Sequence, residues 1–423
     1  MYRKIELNNR LRVVLNHMPG MESAAIGVWV ATGSRNEGKK LCGASHFLEH
    51  MLFKGTPSKN SRQIKEEIEG RGGSLNGFTS EELTCYLAKV SSRHIGKALE
   101  ILSDMVLHAS IDESDMEKER PVIIEEIKMY RDLPNHYVHD ILSELLWPGH
   151  SLGLPVAGNI ETVSAITRQD LLGYKKRLYI PENIVLVLCG KFDDESIVKR
   201  TSKIFRLHPK EKPAHIARFT DMQSSPRIKV LQKKTEQSHL AMGVHTFGRL
   251  HRDRYTLSLL HIIMGANMSS RLFENVREKR GLAYEIGTEL KRYKDTGAFC
   301  VHAGIEHKKV KDAISLIIKE LKKIKQAPVP EKELKRAKEY FKVQLLIALE
   351  GTMEHMLWLG EQVISSGKLP DKDDIIKKID AVKSGDIQRV AGAIFSAKNI
   401  NLALIGNVQD TEKREIALEL SAL

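Results

Sequence analysis

The chain opens with short segments in which apolar and polar residues alternate, as expected for β-strands. Three of them cover residues 3–8, 11–16 and 23–32, and a period of two places one face of each strand in a core. Segments with apolar residues at helical spacing follow, and another pair of strands is predicted near residues 74–90. More helices come next, and an apolar strand, NIVLVLCG, ends at residue 190. The same order of elements then recurs.

This recurrence is an internal repeat with a constant offset. The segment that starts at Ala165 aligns with the one that starts at Ala381, and 381 − 165 = 216. The pentapeptide AAIGV at Ala24 aligns with LAMGV at Leu240, again 216 positions later. Because one offset holds at two distant blocks, the sequence predicts two copies of one fold.

The repeat predicts the fold class and the domain boundaries. Strands and helices in mixed order indicate an α+β protein with two homologous domains, each a mixed, mostly antiparallel sheet with helices packed on one face. We expect an N-terminal domain at residues 1–210 and a C-terminal domain at residues 227–423. The Pro-containing, polar stretch 211–226 between them is predicted to be a linker.

Composition narrows the functional classes. The 423 residues are 42% hydrophobic and 28% charged, which is typical of a globular protein. The net charge of +12 is distributed among many acidic residues, so nucleic-acid binding is not expected. No apolar run reaches the roughly 20 residues that cross a membrane, and no secretory signal is recognisable, so a cytoplasmic chain is expected. The four cysteines form no C-x-x-C pair and are expected to be buried thiols.

The strongest chemical motif is H-x-x-E-H at residues 46–50. On a helix, His46 and His50 lie one turn apart on one face and can hold one metal ion together. Glu49 is then placed to reach a water molecule at the metal without being a ligand. This order is the inverse of H-E-x-x-H and is known from the inverted zinc peptidases.

A catalytic zinc ion needs a third protein ligand. The helical segment DESDMEKERPVIIEEIKMYRDLP offers Glu117, Glu119, Glu125 and Glu126. Glu119 and Glu126 are seven residues apart and share a helix face, whereas Glu125 is rotated by roughly 100° from Glu126. We therefore predict Glu126 as the ligand and Glu119 as a supporting carboxylate. In the second copy, the offset of 216 places Ile262–Ala266 opposite the motif, so a metal site is expected in the first copy alone.

These motifs resemble one known family over essentially the whole chain. HFLEHMLFKGT, GGSLNGFTSEELTCY, ERPVIIEEI, HSLGLPVAGNIETVSAIT and SSRLFENVREKRGLAY are similar to segments of the pitrilysin, insulin-degrading enzyme and mitochondrial processing peptidase family. Size and two-domain form are most similar to the bacterial processing-peptidase branch. The resemblance implies one Zn²⁺ per chain, bound by His46, His50 and Glu126, with Glu49 as catalytic base and Glu119 as a catalytic supporting group.

The resemblance also implies substrate-binding residues. Asn76, Gly77, Phe78 and Thr79 match an edge strand whose backbone pairs with an extended peptide. The glycine and small residues of SLNGFTS independently permit close backbone approach, although an ordinary hairpin strand would have the same composition.

Two residues of the second half, Arg277 and Tyr284, match groups that contact substrate near the metal. Without the resemblance, VREKRGLAY would be a helix end capped by Gly281, with Arg277 on a solvated face. The resemblance implies a homodimer in which Arg277 and Tyr284 act on the partner chain's zinc site.

The predicted function is that of a zinc metalloendopeptidase that hydrolyses extended or unfolded peptides inside a chamber. The main alternative is a catalytically silent structural or partner subunit of the same fold. Such subunits usually lose metal ligands, and this chain keeps a complete set.

Overall fold

The computed structural model describes residues 2–206, 216–408, 410–421 and 423, so residues 211–215 of the predicted linker lie outside the described part. The chain divides into two compact units, each built from three segments. The first unit contains Met1–Lys128, Leu154–Ile216 and Leu346–Pro370, and the second contains Met129–Gly153, Ala217–Leu345 and Asp371–Leu423, as far as these are described.

The first unit is built on a six-stranded sheet in the order β1-β2-β8-β3-β7-β6. The strands are β1 (Arg3–Glu6), β2 (Arg12–His17), β3 (Ser23–Val30), β6 (Ser74–Thr79), β7 (Thr84–Ser91) and β8 (Ile184–Gly190), and a separate small pair is formed by β4 (Gly55–Thr56) and β5 (Lys59–Asn60). Only the β2–β8 pair of this sheet is parallel. The predicted mixed, mostly antiparallel sheet is confirmed.

Helices of the first repeat bury one face of this sheet. They are α1 (Ala44–Leu52), α2 (Ser61–Glu69), α3 (Ile95–His108), α4 (Glu113–Asp132), α6 (Ile160–Ala165), α7 (Arg168–Leu178) and α8 (Asp194–Ile204). Apolar side chains from alternate positions of β2, β3 and β8 pack against them in one continuous core. This core fixes α1, which carries the H-x-x-E-H motif.

The other face of the sheet is covered as well, by α12 (Thr352–Ser366) from the second repeat. Met356 and Val363 of α12 are fully buried against it. The helix packs very closely, since a Cβ atom at Gly360 would lie 2.2 Å from the indole ring of Trp29 on β3. Glycine at this position therefore permits the contact between α12 and the sheet.

The second unit has a five-stranded sheet in the order β11-β12-β10-β13-β9. The strands are β9 (Arg227–Gln232), β10 (Ser238–Phe247), β11 (Ala283–Arg292), β12 (Thr296–Ile305) and β13 (Asn401–Gly406), and the helices are α5 (Pro134–Leu146), α9 (Arg254–Met264), α10 (Val310–Gln326), α11 (Glu331–Ala348), α13 (Lys372–Ala381), α14 (Ser384–Ile394) and α15 (Asp410–Ser421). Helix α5 comes from the first repeat and packs on β10 and β13. Each unit thus contains one helix from the other repeat.

The elements reproduce the predicted repeat over most of its length. Helices α7 and α14 correspond residue for residue, since 384 − 168 = 216 and 394 − 178 = 216. The correspondence is lost at α9, which starts 254 − 44 = 210 positions after α1 and ends 264 − 52 = 212 positions after it. The alignment of Ile262–Ala266 with the metal motif therefore needs correction, because the loop before α9 is shorter than the one before α1.

The predicted boundaries 1–210, 211–226 and 227–423 follow the repeats along the chain. The boundaries of the compact units differ from those of the repeats, because residues 129–153 belong to the second unit and residues 346–370 to the first. An amphipathic helix must bury its apolar face, but its sequence does not specify which sheet it covers.

Candidate metal centre

Helix α1 begins at a deeply buried glycine with a positive φ angle. Gly43, its N-cap residue, has φ +97°, and a Cβ atom there would also lie 2.7 Å from the carbonyl oxygen of Ala157. Because glycine has no capping side chain, the carboxylate of Glu37 accepts the first N–H groups instead, from Gly43 at 2.8 Å and Ser45 at 2.6 Å. The Ser45 hydroxyl in turn lies 2.7 Å from the phenol oxygen of Tyr174 on α7. The start of the helix is thereby fixed immediately before His46.

One turn of α1 brings the two imidazoles together. The ring centroids of His46 and His50 are 4.6 Å apart. The Nε2 atom of His46 lies 3.8 Å from one carboxylate oxygen of Glu126 on α4, and Nε2 of His50 lies 3.7 Å from the other. The three side chains offer ligand atoms that all lie within 4.8 Å of one another. Among the described residues, no other group of three His, Cys, Asp or Glu side chains does so.

The donor set fits a zinc ion in chemistry and in spacing. Two imidazoles and one carboxylate are a known catalytic zinc set, and they leave a fourth position for water. Ligand atoms about 2.1 Å from a tetrahedral ion lie about 3.4 Å apart. The observed separations of 3.7 and 3.8 Å need only a small inward movement to reach that distance.

The neighbouring carboxylates of α4 face elsewhere. The Glu125 side chain is 70% exposed and pairs with Lys128, and the Glu117 side chain is 57% exposed and pairs with Arg120. Only Glu126 of this group points at both histidines. The helix phase therefore separates these acidic residues as the spacing predicts.

Glu119 orients His50 from the opposite side of the ring. Its Oε1 lies 2.8 Å from His50 Nδ1 and accepts that N–H when the proton is on Nδ1, which leaves the Nε2 lone pair directed at Glu126. Its Oε2 accepts a hydrogen bond from the Lys54 ammonium group. Burial acts to raise the pKa of Glu119, but the hydrogen bonds from His50 and Lys54 outweigh it and the pKa is lowered.

The two histidines have opposite pKa shifts. Burial, with the nearby His50, lowers the pKa of His46 to about 4. Burial also acts to lower the pKa of His50, but the hydrogen bond to Glu119 and the surrounding carboxylates outweigh it, so this pKa is raised. In the metal-free chain, His46 is therefore neutral at pH 7, and His50 is the imidazole that holds a proton more readily.

Glu49 lies on α1 between the histidines in sequence but is not part of the three-ligand group. It is 8% exposed, and its Oε2 accepts a hydrogen bond of 2.7 Å from the Thr79 hydroxyl. Burial is the main cause that raises the pKa of Glu49. A carboxylate with a raised pKa beside a metal site is suited to accept and return a proton near neutral pH.

The strand that carries Asn76, Gly77, Phe78 and Thr79 is β6, at the edge of its sheet. It pairs with β7 on one side and with no other described strand. Phe78 is 36% exposed and stacks edge-on against Trp29, with ring centroids 5.7 Å apart. The free edge can accept an added strand.

Arg277 and Tyr284 lie next to one another in the second unit. Arg277 belongs to a π-helical turn, Phe273–Glu278, and Tyr284 to β11. The guanidinium carbon lies 4.7 Å from the centroid of the Phe273 ring and 5.7 Å from that of Tyr284. Tyr284 is 75% exposed, so its phenol group is available for contact.

The sequence interpretation did not include Lys54, Glu37 or Tyr174. Lys54 continues the spacing of four that identified the histidines, but it lies beyond the end of α1 at Leu52, so the spacing alone does not place it. Glu37 and Tyr174 act across a loop and from a distant helix, so no local spacing indicates them.

Other expectations concern the cysteines and the membrane. Cys42, Cys85, Cys189 and Cys300 are all buried and unbridged, and burial raises the pKa of each thiol. Within the described residues, no helix combines the length and the apolar character that a membrane span requires.

The fold and the three convergent ligand atoms are typical of a metallopeptidase. Residues 12–159 match the family model described as insulinase, peptidase family M16, and residues 165–341 match the model described as the M16 inactive domain. An uncharacterized zinc protease of Bacillus subtilis is 36% identical over 405 residues, which cover 96% of this chain and 98% of that one. The chain therefore belongs to the M16 peptidase family, and these matches support a zinc-protease role.

Solved structures of other proteins share the fold. A protease from Helicobacter pylori superposes with a TM-score of 0.89 at 22% identity, covering 96% of this chain and 99% of that one. A chain of complex III2 from Candida albicans gives a TM-score of 0.87 at 20% identity, covering 99% of both chains. At these identities the likeness concerns the fold alone.

Proposed function

We propose that the chain is a zinc-dependent endopeptidase that hydrolyses extended or unfolded peptides with Glu49 as general base. The observation that carries the proposal is the convergence of His46 Nε2, His50 Nε2 and the Glu126 carboxylate next to a second, buried carboxylate, that of Glu49. The arrangement is of the inverted type, because the base follows the first histidine by three residues. The cytoplasmic location stays a prediction.

The chemistry can be assigned to side chains of the first unit. A zinc ion held by His46, His50 and Glu126 would lower the pKa of a bound water and would polarise the scissile carbonyl. Glu49 accepts the proton of the attacking water and returns it to the leaving amine. The substrate adds as a strand to the free edge of β6, which recognises backbone before side chains and so favours unfolded peptides.

The proposal extends to a homodimer that encloses a chamber. In it, Arg277 and Tyr284 of one chain act at the zinc site of the partner chain, where they bind the substrate backbone or the developing oxyanion. Their mutual stacking and the exposure of Tyr284 support a role in contact with another molecule. A closed chamber would exclude folded proteins by size.

Peptide hydrolysis tests the assignment of Glu49. Wild type and Glu49→Gln are incubated with a pool of unstructured peptides of about 10–30 residues, and the products are identified by mass spectrometry. We expect cleavage by wild type and a loss of about 10²- to 10⁴-fold in the variant, with zinc content unchanged. Equal cleavage by both proteins would show that the base has been placed wrongly.

Metal content tests the ligand set. Glu126→Gln should lose most of its zinc, whereas the matched control Glu125→Gln should keep it, because Glu125 is exposed and pairs with Lys128. Zinc is measured by atomic emission after dialysis against a weak chelator. Equal zinc contents in the two variants would contradict the assignment of Glu126.

The second candidate function is that of a catalytically silent structural or partner subunit, and two observations favour it. The fold is shared with a chain of complex III2, and the family model for residues 165–341 is that of an inactive domain. The complete ligand set in the first unit argues against it. Stoichiometric zinc without cleavage of any peptide would favour the silent subunit.

Mixing of inactive variants tests the homodimer. Glu49→Gln and Arg277→Ala are each expected to be inactive, but a mixed dimer would contain one intact site if Arg277 acts on the partner chain. Random exchange of subunits should then restore about a quarter of wild-type activity. No recovery in a mixture that exchanges subunits would contradict the trans arrangement.

A further inference from the structure

The edge strand β6 contacts both oxygens of the Glu49 carboxylate. The Thr79 hydroxyl donates a hydrogen bond to Oε2 over 2.7 Å. Two residues earlier, Gly77 lies against the other oxygen, since a Cβ atom there would be 3.2 Å from Glu49 Oε1 and 3.1 Å from the Phe53 ring. Residues 77 and 79 point to the same side of a strand. The Thr79 hydroxyl thus holds the Glu49 carboxylate, and the absence of a side chain at Gly77 leaves room for it.

Helix α1 and strand β6 are also attached to one loop. Ser34 and Arg35 donate their backbone N–H groups to the carbonyl oxygens of Ser80 (3.2 Å) and Glu81 (2.7 Å), directly after β6. Glu37, at the end of the same loop, accepts the first N–H groups of α1. These contacts hold the segments that carry Thr79 and Glu49 to the same loop.

We propose that Thr79 is a positioning residue for Glu49, so that the strand expected to bind substrate also orients the general base. The inference rests on the proposed function. The hydroxyl occupies Oε2 and leaves Oε1 to accept the proton of the attacking water. Since strand addition uses the backbone of β6, the side-chain hydroxyl of Thr79 acts on the base and not on the peptide.

The structure supplies a matched control on the neighbouring strand. Thr84 of β7 lies directly opposite Thr79 in the sheet and is fully buried. Its hydroxyl donates to the carbonyl oxygen of Thr32 over 2.9 Å. Thr84→Val therefore removes a buried hydroxyl from the same part of the sheet without removing a hydrogen bond to the base.

The test compares Thr79→Val, Thr79→Ser and Thr84→Val with wild type for kcat, KM and zinc content. A hydrogen bond to a charged group suggests that kcat of Thr79→Val falls about 10- to 100-fold. We expect KM within about twofold of wild type, because peptide pairing is kept. Thr79→Ser keeps the hydroxyl and should recover kcat to within about threefold of wild type, and Thr84→Val should retain wild-type kcat.

Three results would overturn the inference. They are an unchanged kcat in Thr79→Val, equal losses in Thr79→Val and Thr84→Val, and a rise in KM without a fall in kcat. If wild type cleaves no peptide, the proposed function has failed independently of Thr79. Crystal structures of wild type and Thr79→Val then decide the positioning role: a displaced Glu49 carboxylate in the variant supports it, and an unmoved one overturns it.

Discussion

The interaction of Glu119 with Lys54 and His50 allows a quantitative prediction for metal affinity. Glu119 accepts a hydrogen bond from each partner, one on each oxygen. In Glu119→Gln the amide oxygen can still accept from His50 Nδ1–H, but the amide nitrogen then faces the Lys54 ammonium group, and two donors oppose each other. The substitution therefore leaves Lys54 unpaired or leaves His50 free to rotate.

The expected magnitude follows from these contacts. Loss of a carboxylate that orients a metal-binding histidine lowers metal affinity by about 10- to 100-fold. The Lys54 side chain is 32% exposed, so its ion pair with Glu119 contributes only about 1 kcal/mol or less. Lys54→Met alone should then weaken zinc binding by no more than about fivefold. The double variant should bind no more weakly than Glu119→Gln, because the opposed donors are gone.

Zinc dissociation constants measured by competition with a chromophoric chelator would test this prediction. Glu117→Gln is the matched control, since Glu117 lies on the same helix but is exposed and pairs with Arg120. We expect it to bind zinc like wild type. Wild-type affinity in Glu119→Gln, or losses that add up in the double variant, would refute the role assigned to the Glu119 carboxylate.

Three further predictions concern pH and packing. Burial raises the pKa of Glu37 from 4.5 to about 7, so the native state binds this proton more tightly than the unfolded chain does. The free energy of unfolding should therefore fall, by up to about 3 kcal/mol, as the pH rises through that range. Urea unfolding of Glu37→Gln should show a flatter pH dependence than that of wild type, and an unchanged dependence would contradict this. Because the pKa of His46 is lowered to about 4 and that of His50 is raised, His50 is the imidazole from which zinc should displace a proton, and calorimetry should show zinc affinity rising with pH. Gly360→Ala would press a methyl group against the Trp29 ring and should cost about 1–3 kcal/mol in thermal unfolding, so an unchanged Tm would refute the close packing of α12.

The spacing of residues along the helices predicted much of the local arrangement of the candidate site. The spacing of four placed His46 and His50 on one face, and the spacing of seven placed Glu119 and Glu126 on another. The structure adds a distinction that helix phase could not supply: Glu119 reaches Nδ1 of His50, and Glu126 reaches its Nε2. Lys54 follows the same spacing of four but lies beyond the end of α1 at Leu52, so helix geometry alone would not place it.

Contacts that join distant segments could not be predicted in this way. Glu37 reaches α1 through a loop, and a buried acceptor for the first N–H groups of a helix can come from any segment that packs there. For the same reason, sequence spacing could not predict that α5 of the first repeat packs in the second unit and α12 of the second repeat in the first unit. Gly360 is one of 29 glycines in the sequence, and its role is visible only when Trp29 is found against it.

Among the described residues, only the first unit brings three candidate ligands together, and the second unit indicates why. Position 126 + 216 = 342 holds a lysine, and Lys342 pairs with Glu339 and Asp380 at 2.6 and 3.2 Å. Helix α9, shifted relative to α1, keeps one imidazole near its end, but His261 Nδ1 lies 2.7 Å from the Thr288 hydroxyl. Burial lowers the pKa of His261 to about 4, so this imidazole is neutral at pH 7. A protonated lysine has no lone pair to offer a metal ion, and one imidazole alone does not supply the three ligands of a catalytic zinc site.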